Sequence, residues 1–253
     1  RSRSTTLWGE GAKKAWGVEL ESTRRHTRDC SGNGRCNFGC PQGSKMSVDV
    51  SYLPRALRRK TTVVTDAFVR KIDTRAGRAE GVSGRLLNRD GKPGDRFEAR
   101  APLVVLSAGA AHTPLLLMSS GIRGRSGQVG RNMTLHPAFR MSAFFDEPVA
   151  GWKGAMQSAY TDAFLETERI TLISVFVPPA VTVAGMPGVG PGFMEQANDV
   201  QRVAVFGGMV HDEGGGRVRR GPGREPIMTY RMAPEDRAAL PRLVRRLGDA
   251  FFA

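Results

Sequence analysis

Residues 61–72, TTVVTDAFVRKI, alternate apolar and polar positions among β-branched side chains, a period of two that predicts a strand. The stretch GVSGRLLNRDGKPGDRFEARAPLVVLSAGA then reads as a hairpin turning at Asp90-Gly91, followed by a buried strand over 102–108. In GAAHTPLLLMSSG the pattern changes to that of a helix. Thr113 is placed as its N-cap, Pro114 as its first helical residue and Gly121 as its stop. Buried strand, small-residue turn and helix start together predict a βα unit of the doubly wound type.

The texture changes again near residue 139. FRMSAFF, ITLISVFV (170–177), VAVFGGMVHD (203–212) and PIMTYRM (226–232) are strand-like runs between Gly/Pro-rich loops. They predict a second subdomain on a mainly antiparallel sheet. Toward the start, LWGEGAKKAWGVEL is amphipathic, and SVDVSYLPRALRRK (47–60) is helix-like with Pro54 at a break or first turn. Residues 233–253 predict a helix opened by Pro234 and acidic residues. The fold class is therefore α/β in the broad, α+β sense.

Composition narrows this picture only modestly. The 253 residues allow one large domain or two modest ones. Hydrophobic content of 40% and charged content of 25% are ordinary for a globular protein. No apolar run approaches the roughly eighteen residues of a membrane span. The net charge of +14 raises the idea of a nucleic-acid or membrane-surface binder. The basic runs RALRRK (55–60), RVRRGPGR (217–224) and RLVRRL (242–247) are short and far apart, however, and read as a solvated arginine-rich surface. The chain opens RSRSTTLW and closes AFFA, with no initiator Met and no terminal cap, so truncation at both ends is expected.

All three cysteines fall in CSGNGRCNFGCPQGSK, spaced C-x5-C-x3-C as Cys30, Cys36 and Cys40. An odd, clustered count argues for reduced thiols and a cytoplasmic setting. With His26 they form a nominal four-ligand metal set, and the competing reading is a tight glycine-rich turn using small buried residues. His136 before Pro137 reads as a packed loop residue, and His112 as a local contact. His211 with Asp212 and Glu213 is either an acid–base pair or a solvated strand end. No G-x-G-x-x-G and no G-x-S-x-G occurs in the chain.

Several blocks, in order, resemble the glucose–methanol–choline (GMC) oxidoreductases. They are CSGNGRCNFGCPQGSKMSVDVSYLPRAL, VVTDAFVRKI, APLVVLSAGAAHTPLLLMSSGI, GQVGRNMTLHP and GGMVHDEGGGRVRRGPGREPIMTYRMAPEDR, which together cover about residues 20–253. The nearest likeness is to bacterial members similar to long-chain alcohol oxidases. SSGIR departs from the family's commoner SGIG, which bears on that loop's shape.

The resemblance implies a doubly wound FAD-binding domain interleaved with a substrate domain on an antiparallel sheet. Residues 1–138 would be a partial FAD-binding domain, 139–232 the substrate domain, and 233–253 a helix leading toward a catalytic segment outside this sequence. It also implies FAD as cofactor, a small-molecule alcohol as substrate, and no nucleic-acid partner. By position, Val69 matches a backbone contact to the FAD adenine, and Ala108 and Gly109 match a turn passing close to the adenosine. Asn132 matches a segment near the flavin-domain interface. No catalytic residue and no metal ligand is carried over. One family branch holds a three-iron cluster at the same cysteine spacing, but NFGCPQGSK and SYLPRAL are more similar to the branch without one, which favours a structural loop. Two alternatives accompany this reading. One is a decayed, non-catalytic interaction protein of the same fold. The other is a basic, zinc-stabilised nucleic-acid binder using His26, Cys30, Cys36 and Cys40.

Overall fold

The computed structural model describes residues 1–175, 178–223 and 225–253. In chain order the elements are α1 (Arg3–Trp16), β1 (Glu21–Ser22), α2 (Tyr52–Arg58), β2 (Ala67–Arg75), β3 (Arg78–Leu87), β4 (Pro93–Arg100), α3 (Gly109–Ser119) and β5 (Arg131–Met133). Then come β6 (Ala138–Phe144), β7 (Ala159–Phe164), α4 (Leu165–Glu168), β8 (Ile170–Ser174), α5 (Pro179–Ala184), α6 (Pro191–Asn198), β9 (Val203–Val210), β10 (Gly216–Arg220), β11 (Pro226–Thr229) and α7 (Pro234–Phe252). Helices mix with antiparallel sheets, and every ladder among the described residues is antiparallel.

The chain divides into two compact units. The first comprises Arg1–Ala56, His136–Asp212 and Pro234–Ala253, and the second Leu57–Leu135 and Glu213–Ala233. Residues 1–56 thus group with 136–212 rather than with 57–135.

In the first unit, a five-stranded sheet runs β1-β7-β8-β9-β6. Its core holds Trp8, Ile170, Leu172, Phe206, Leu243 and Leu247, all at 0–1% exposure. α1 starts at a cap, where the Ser2 hydroxyl accepts the Thr5 N–H at 3.2 Å. It ends at Gly17, whose φ of +68° suits the left-handed turn that stops a helix. The amphipathic segment read from the sequence is this helix, and Trp8, Gly11 and Ala12 are its buried stripe. β9 is buried on both faces, which is why its run VAVFGGMV is continuously apolar. Its Gly208 admits α7: a Cβ there would lie 2.5 Å from Leu243 Cδ1 and 2.7 Å from Leu172 Cδ2.

The second unit is built on the meander β2-β3-β4. The expected turn at Asp90-Gly91 is present, with Gly91 at φ +74°. A second tight turn, Ala76-Gly77, joins β2 to β3 with φ +49° and +78°, the pair that a two-residue hairpin requires. α3 docks on β2, where the Ile72 N–H donates to Ser120 Oγ at 2.9 Å. A small sheet, β11-β10-β5, completes the unit. Gly84 in β3 lies against its neighbours: an added Cβ would sit 2.2 Å from the Phe68 carbonyl oxygen and 2.8 Å from the Phe97 ring. Gly84→Ala should therefore destabilise the meander by about 1–3 kcal/mol, as overpacking does. Amide hydrogen exchange along β2–β4 reads this directly, and unchanged protection would contradict it.

Four elements differ from expectation. Residues 102–108 form no strand: they join no ladder, and Leu103 and Val105 are each 77% exposed. An apolar run becomes a strand only where another edge accepts its backbone bonds, and the described residues provide none. The first strand starts at Ala67, not residue 61, because Asp66 adopts φ +56° and turns the chain there. α3 begins at Gly109 with Ala108 as cap, not at Thr113. The Thr113 hydroxyl instead accepts the Ala108 N–H from within the helix, at 3.1 Å, and Pro114 lies inside that helix. PIMTYRM supplies β11, which pairs with β10 in the small sheet rather than in the five-stranded one. Of ITLISVFV, the strand covers 170–174, and residues 176–177 lie outside the described ones.

Candidate functional site

A cavity of about 1050 Å³ lies in the second unit. One wall is β2, through Ala67, Phe68, Val69 and Arg70. β2 has a register shift between Val69 and Lys71, so Arg70 is left out of the ladder opposite β3. The second wall is the unpaired segment 103–108, and the third is the α3 face carrying His112, Leu115, Leu116 and Ser119. Arg220 and Gly221, where β10 ends, complete the rim.

The segment 103–108 earns its exposure here. Residues 103–107 alternate between exposed and half-buried, and every residue of 103–108 lines the cavity. It leads into Ala108 and then Gly109, at φ +80°, where a Cβ would meet nothing within 4 Å. Backbone conformation therefore selects glycine at this position, and space remains for another molecule to approach. Arg70, Arg85 and Arg220 are among the lining residues. Arg85 is held by a hydrogen bond from Nη1 to the Gly94 carbonyl at 2.9 Å. His112 Nε2 stands 3.9 Å from Glu225 Oε2.

Of the four residues expected at a cofactor, Val69 and Ala108 line this one cavity although 39 positions of sequence numbering separate them. Gly109 is the next residue after Ala108. Asn132 is elsewhere in the unit: it lies on β5 at φ +58°, and its Nδ2 donates to Gln128 Oε1 at 3.0 Å. Phe68, Arg70, His112 and Arg220 are not among the residues the sequence singles out for a cofactor. For Phe68 and Arg70 the available signal is their adjacency to Val69, and Arg220 falls in a run that reads as a solvated basic surface.

The remaining candidates belong to the first unit. His136 and His211 meet edge to face with ring centroids 6.0 Å apart. His211 Nε2 is 2.9 Å from Thr171 Oγ1, and the His136 N–H donates to Asp212 Oδ1 at 3.0 Å. His211 is thus a partnered strand-end residue. Cys30, Cys36 and Cys40 are free thiols, and among the described residues no three His, Cys, Asp or Glu side chains converge as a metal site. No helix among the described residues is long and apolar enough to cross a membrane.

Comparison with known proteins identifies the family of the chain. The GMC oxidoreductase family model matches residues 2–138, more than half of the chain, and the protein belongs to that family. It is 34% identical over 242 residues to an uncharacterised GMC-type oxidoreductase of Mycobacterium tuberculosis, covering 96% of this chain and 37% of the relative. A second GMC-type oxidoreductase, from Sinorhizobium fredii, is 35% identical over 244 residues, covering 95% of this chain and 46% of that protein. A long-chain-alcohol oxidase of Arabidopsis thaliana is 29% identical over 241 residues, covering 88% of this chain and 31% of the relative. The chain therefore spans less than half the length of these curated relatives.

Proposed function

We propose that the protein takes part in FAD-dependent oxidation of the CH–OH group of an alcohol, and that its second unit supplies the adenosine side of the cofactor site. The observation that carries this is the meeting of Val69 and Ala108 at one cavity. The cavity is of the size that holds small-molecule cofactors. The residues fit the adenosine part of FAD. β2 can offer backbone groups to an adenine edge, Phe68 and the 103–106 segment offer apolar surface, and the small Ala108-Gly109 turn permits close approach. Arg70 and Arg220 favour an anionic ligand there. The pyrophosphate has no glycine-rich loop in this sequence, so affinity of the chain for whole FAD is expected to be weak.

FAD, when bound, supplies the electron acceptor for the alcohol carbon. The residues of this chain would orient its adenosine end and exclude water along the apolar wall. The first unit, with its five-stranded antiparallel sheet, is the part we assign to the alcohol. The long-chain-alcohol oxidase among the relatives supports an apolar alcohol as substrate. None of His26, His112, His136 or His211 is assigned as a base.

Saturation-transfer NMR with FAD and the whole chain tests the assignment. Adenine protons should receive saturation and isoalloxazine protons should not. Ala108→Trp, which fills the turn, should reduce the adenine signal about tenfold, the effect expected when a well-fitted small-molecule contact is lost. No adenine signal, or one that Ala108→Trp leaves intact, would remove the adenosine reading.

A further inference from the structure

The cysteine loop of the first unit is not used by the function above. It surrounds its own cavity of about 380 Å³, lined by all three thiols together with Arg25, His26 and Lys45. The loop is tightly held. Gln42 Oε1 accepts from Asn33 Nδ2 at 2.9 Å and from Ser31 Oγ at 2.5 Å. The Gly154 N–H donates to the Gly32 carbonyl at 2.8 Å, and Ser44 Oγ to the Asp29 carbonyl at 3.0 Å.

Within this frame the three thiols are not equivalent. Cys40 opens a turn, Cys40-Pro41-Gln42-Gly43, closed by the Gly43 N–H on the Cys40 carbonyl at 3.1 Å. Beyond the turn, Lys45 forms a bridge with Thr27 whose bonds use the N–H groups of Arg28 and Met46. The Lys45 N–H is therefore turned away from Thr27 and toward the loop that carries Cys40. With the N–H groups of Gln42 and Ser44 and the Asn33 amide, it favours the ionised form of the Cys40 sulfur. A sulfur facing several fixed donors is a preorganised anion site, as in backbone nests. The Lys45 N–H, first among these, holds the Cys40 thiol below the ordinary range, against the opposing effect of partial burial.

We infer that Cys40 is a peroxide-responsive modification site, the thiol of this loop that small hydroperoxides entering the cysteine cavity oxidise first. The thiolate attacks the terminal peroxide oxygen. An S–O bond forms and the O–O bond breaks, giving Cys40–SOH and an alkoxide or hydroxide, which takes a proton from water. The sulfur loses two electrons and the peroxide gains them.

The test uses the whole chain, one equivalent of hydrogen peroxide and dimedone, with the products mapped by peptide mass spectrometry. Oxidation products should include Cys40, as a dimedone adduct or as a disulfide. Products without Cys40, or no oxidation, would overturn the inference. Iodoacetamide labelling gives the independent readout. At pH 6.5, Cys40 should react at least about fivefold faster than N-acetylcysteine, because a thiol of lowered proton affinity keeps its thiolate on the acid side. The advantage should shrink as pH rises and the reference thiol also ionises. A Cys40 rate that follows the reference thiol at every pH refutes the proposal. Lys45→Pro deletes the largest donor without removing a bond of the Thr27 bridge, and should bring the Cys40 rate toward the reference. If that variant misfolds, the pH profile of the unaltered chain still decides.

Discussion

Gly11→Ala is expected to lower the stability of the first unit by about 2–3 kcal/mol, although alanine is the better helix former by about 1 kcal/mol. The reason is the crossing of α1 and α7. A Cβ on Gly11 would lie 2.1 Å from the Ala250 carbonyl oxygen and 3.0 Å from its carbon. These are backbone atoms, so no rotamer change relieves the clash. The helices must separate, and the contacts of Trp8, Ala12, Leu243 and Leu247 loosen with them. Trimming Ala250 to glycine should fail to rescue, because the obstacle is the carbonyl and not the side chain. Chemical denaturation followed by tryptophan fluorescence measures this, since Trp8 is fully buried beside Phe206. A stabilised Gly11→Ala variant would mean that the crossing is looser than described.

Arg169→Ala should be the second large loss, about 2–4 kcal/mol. Arg169 Nη2 lies 3.3 Å from Asp236 Oδ1, and the Asp236 side chain is completely buried while that of Arg169 is 31% exposed. The same guanidinium donates to the His211 carbonyl at 2.5 Å. Removing it strips a charge partner from a buried carboxylate and a donor from a carbonyl, the costly direction of breaking a pair. Water reaching the exposed part of Arg169 keeps the figure below the extreme for a fully enclosed pair. Asp236→Asn removes the charge together with the need for its partner and should cost less. Arg169 also sits at φ +62°, so Arg169→Gly separates backbone strain from the ion pair. The difference between Arg169→Gly and Arg169→Ala measures the strain, and if Arg169→Ala matches the unaltered protein in urea titrations the expectation fails.

What could be read from the chain followed the range of the interaction. The turn at Asp90-Gly91, the stop at Gly121, the Pro234 helix and the buried β9 all depend on local chemistry, and all were legible. The strand expected at 102–108 failed because LVVL reports only that a segment is apolar; whether it pairs depends on another edge. β10 was hidden by its arginines. In GRVRR the buried positions are Gly216 and Val218, too few to stand out as a period. The division into units depends on contacts such as Gly11 with Ala250, which no window of sequence contains. At the candidate site, only family likeness draws attention to Val69 and Ala108 in the sequence, and what the structure adds is that both line one cavity. Arg220 arrives from a distant strand, and nothing near it in the chain announces a cavity.

Lys14 and Ala253, 239 residues apart, are joined by a hydrogen bond beside the α1–α7 crossing. This closure has a consequence during synthesis on the ribosome. α1 emerges with Trp8 and Ala12 uncovered, and its cover, Leu243, Leu247 and Ala250, is translated long afterwards. The first unit cannot reach its final packing until α7 has been made, because the two helices that close it are separated by more than two hundred intervening residues. In the interval the apolar stripe of α1 stays exposed. Codon changes that slow elongation between β9 and α7 should lengthen that exposure and lower the soluble yield, with no change in the amino-acid sequence.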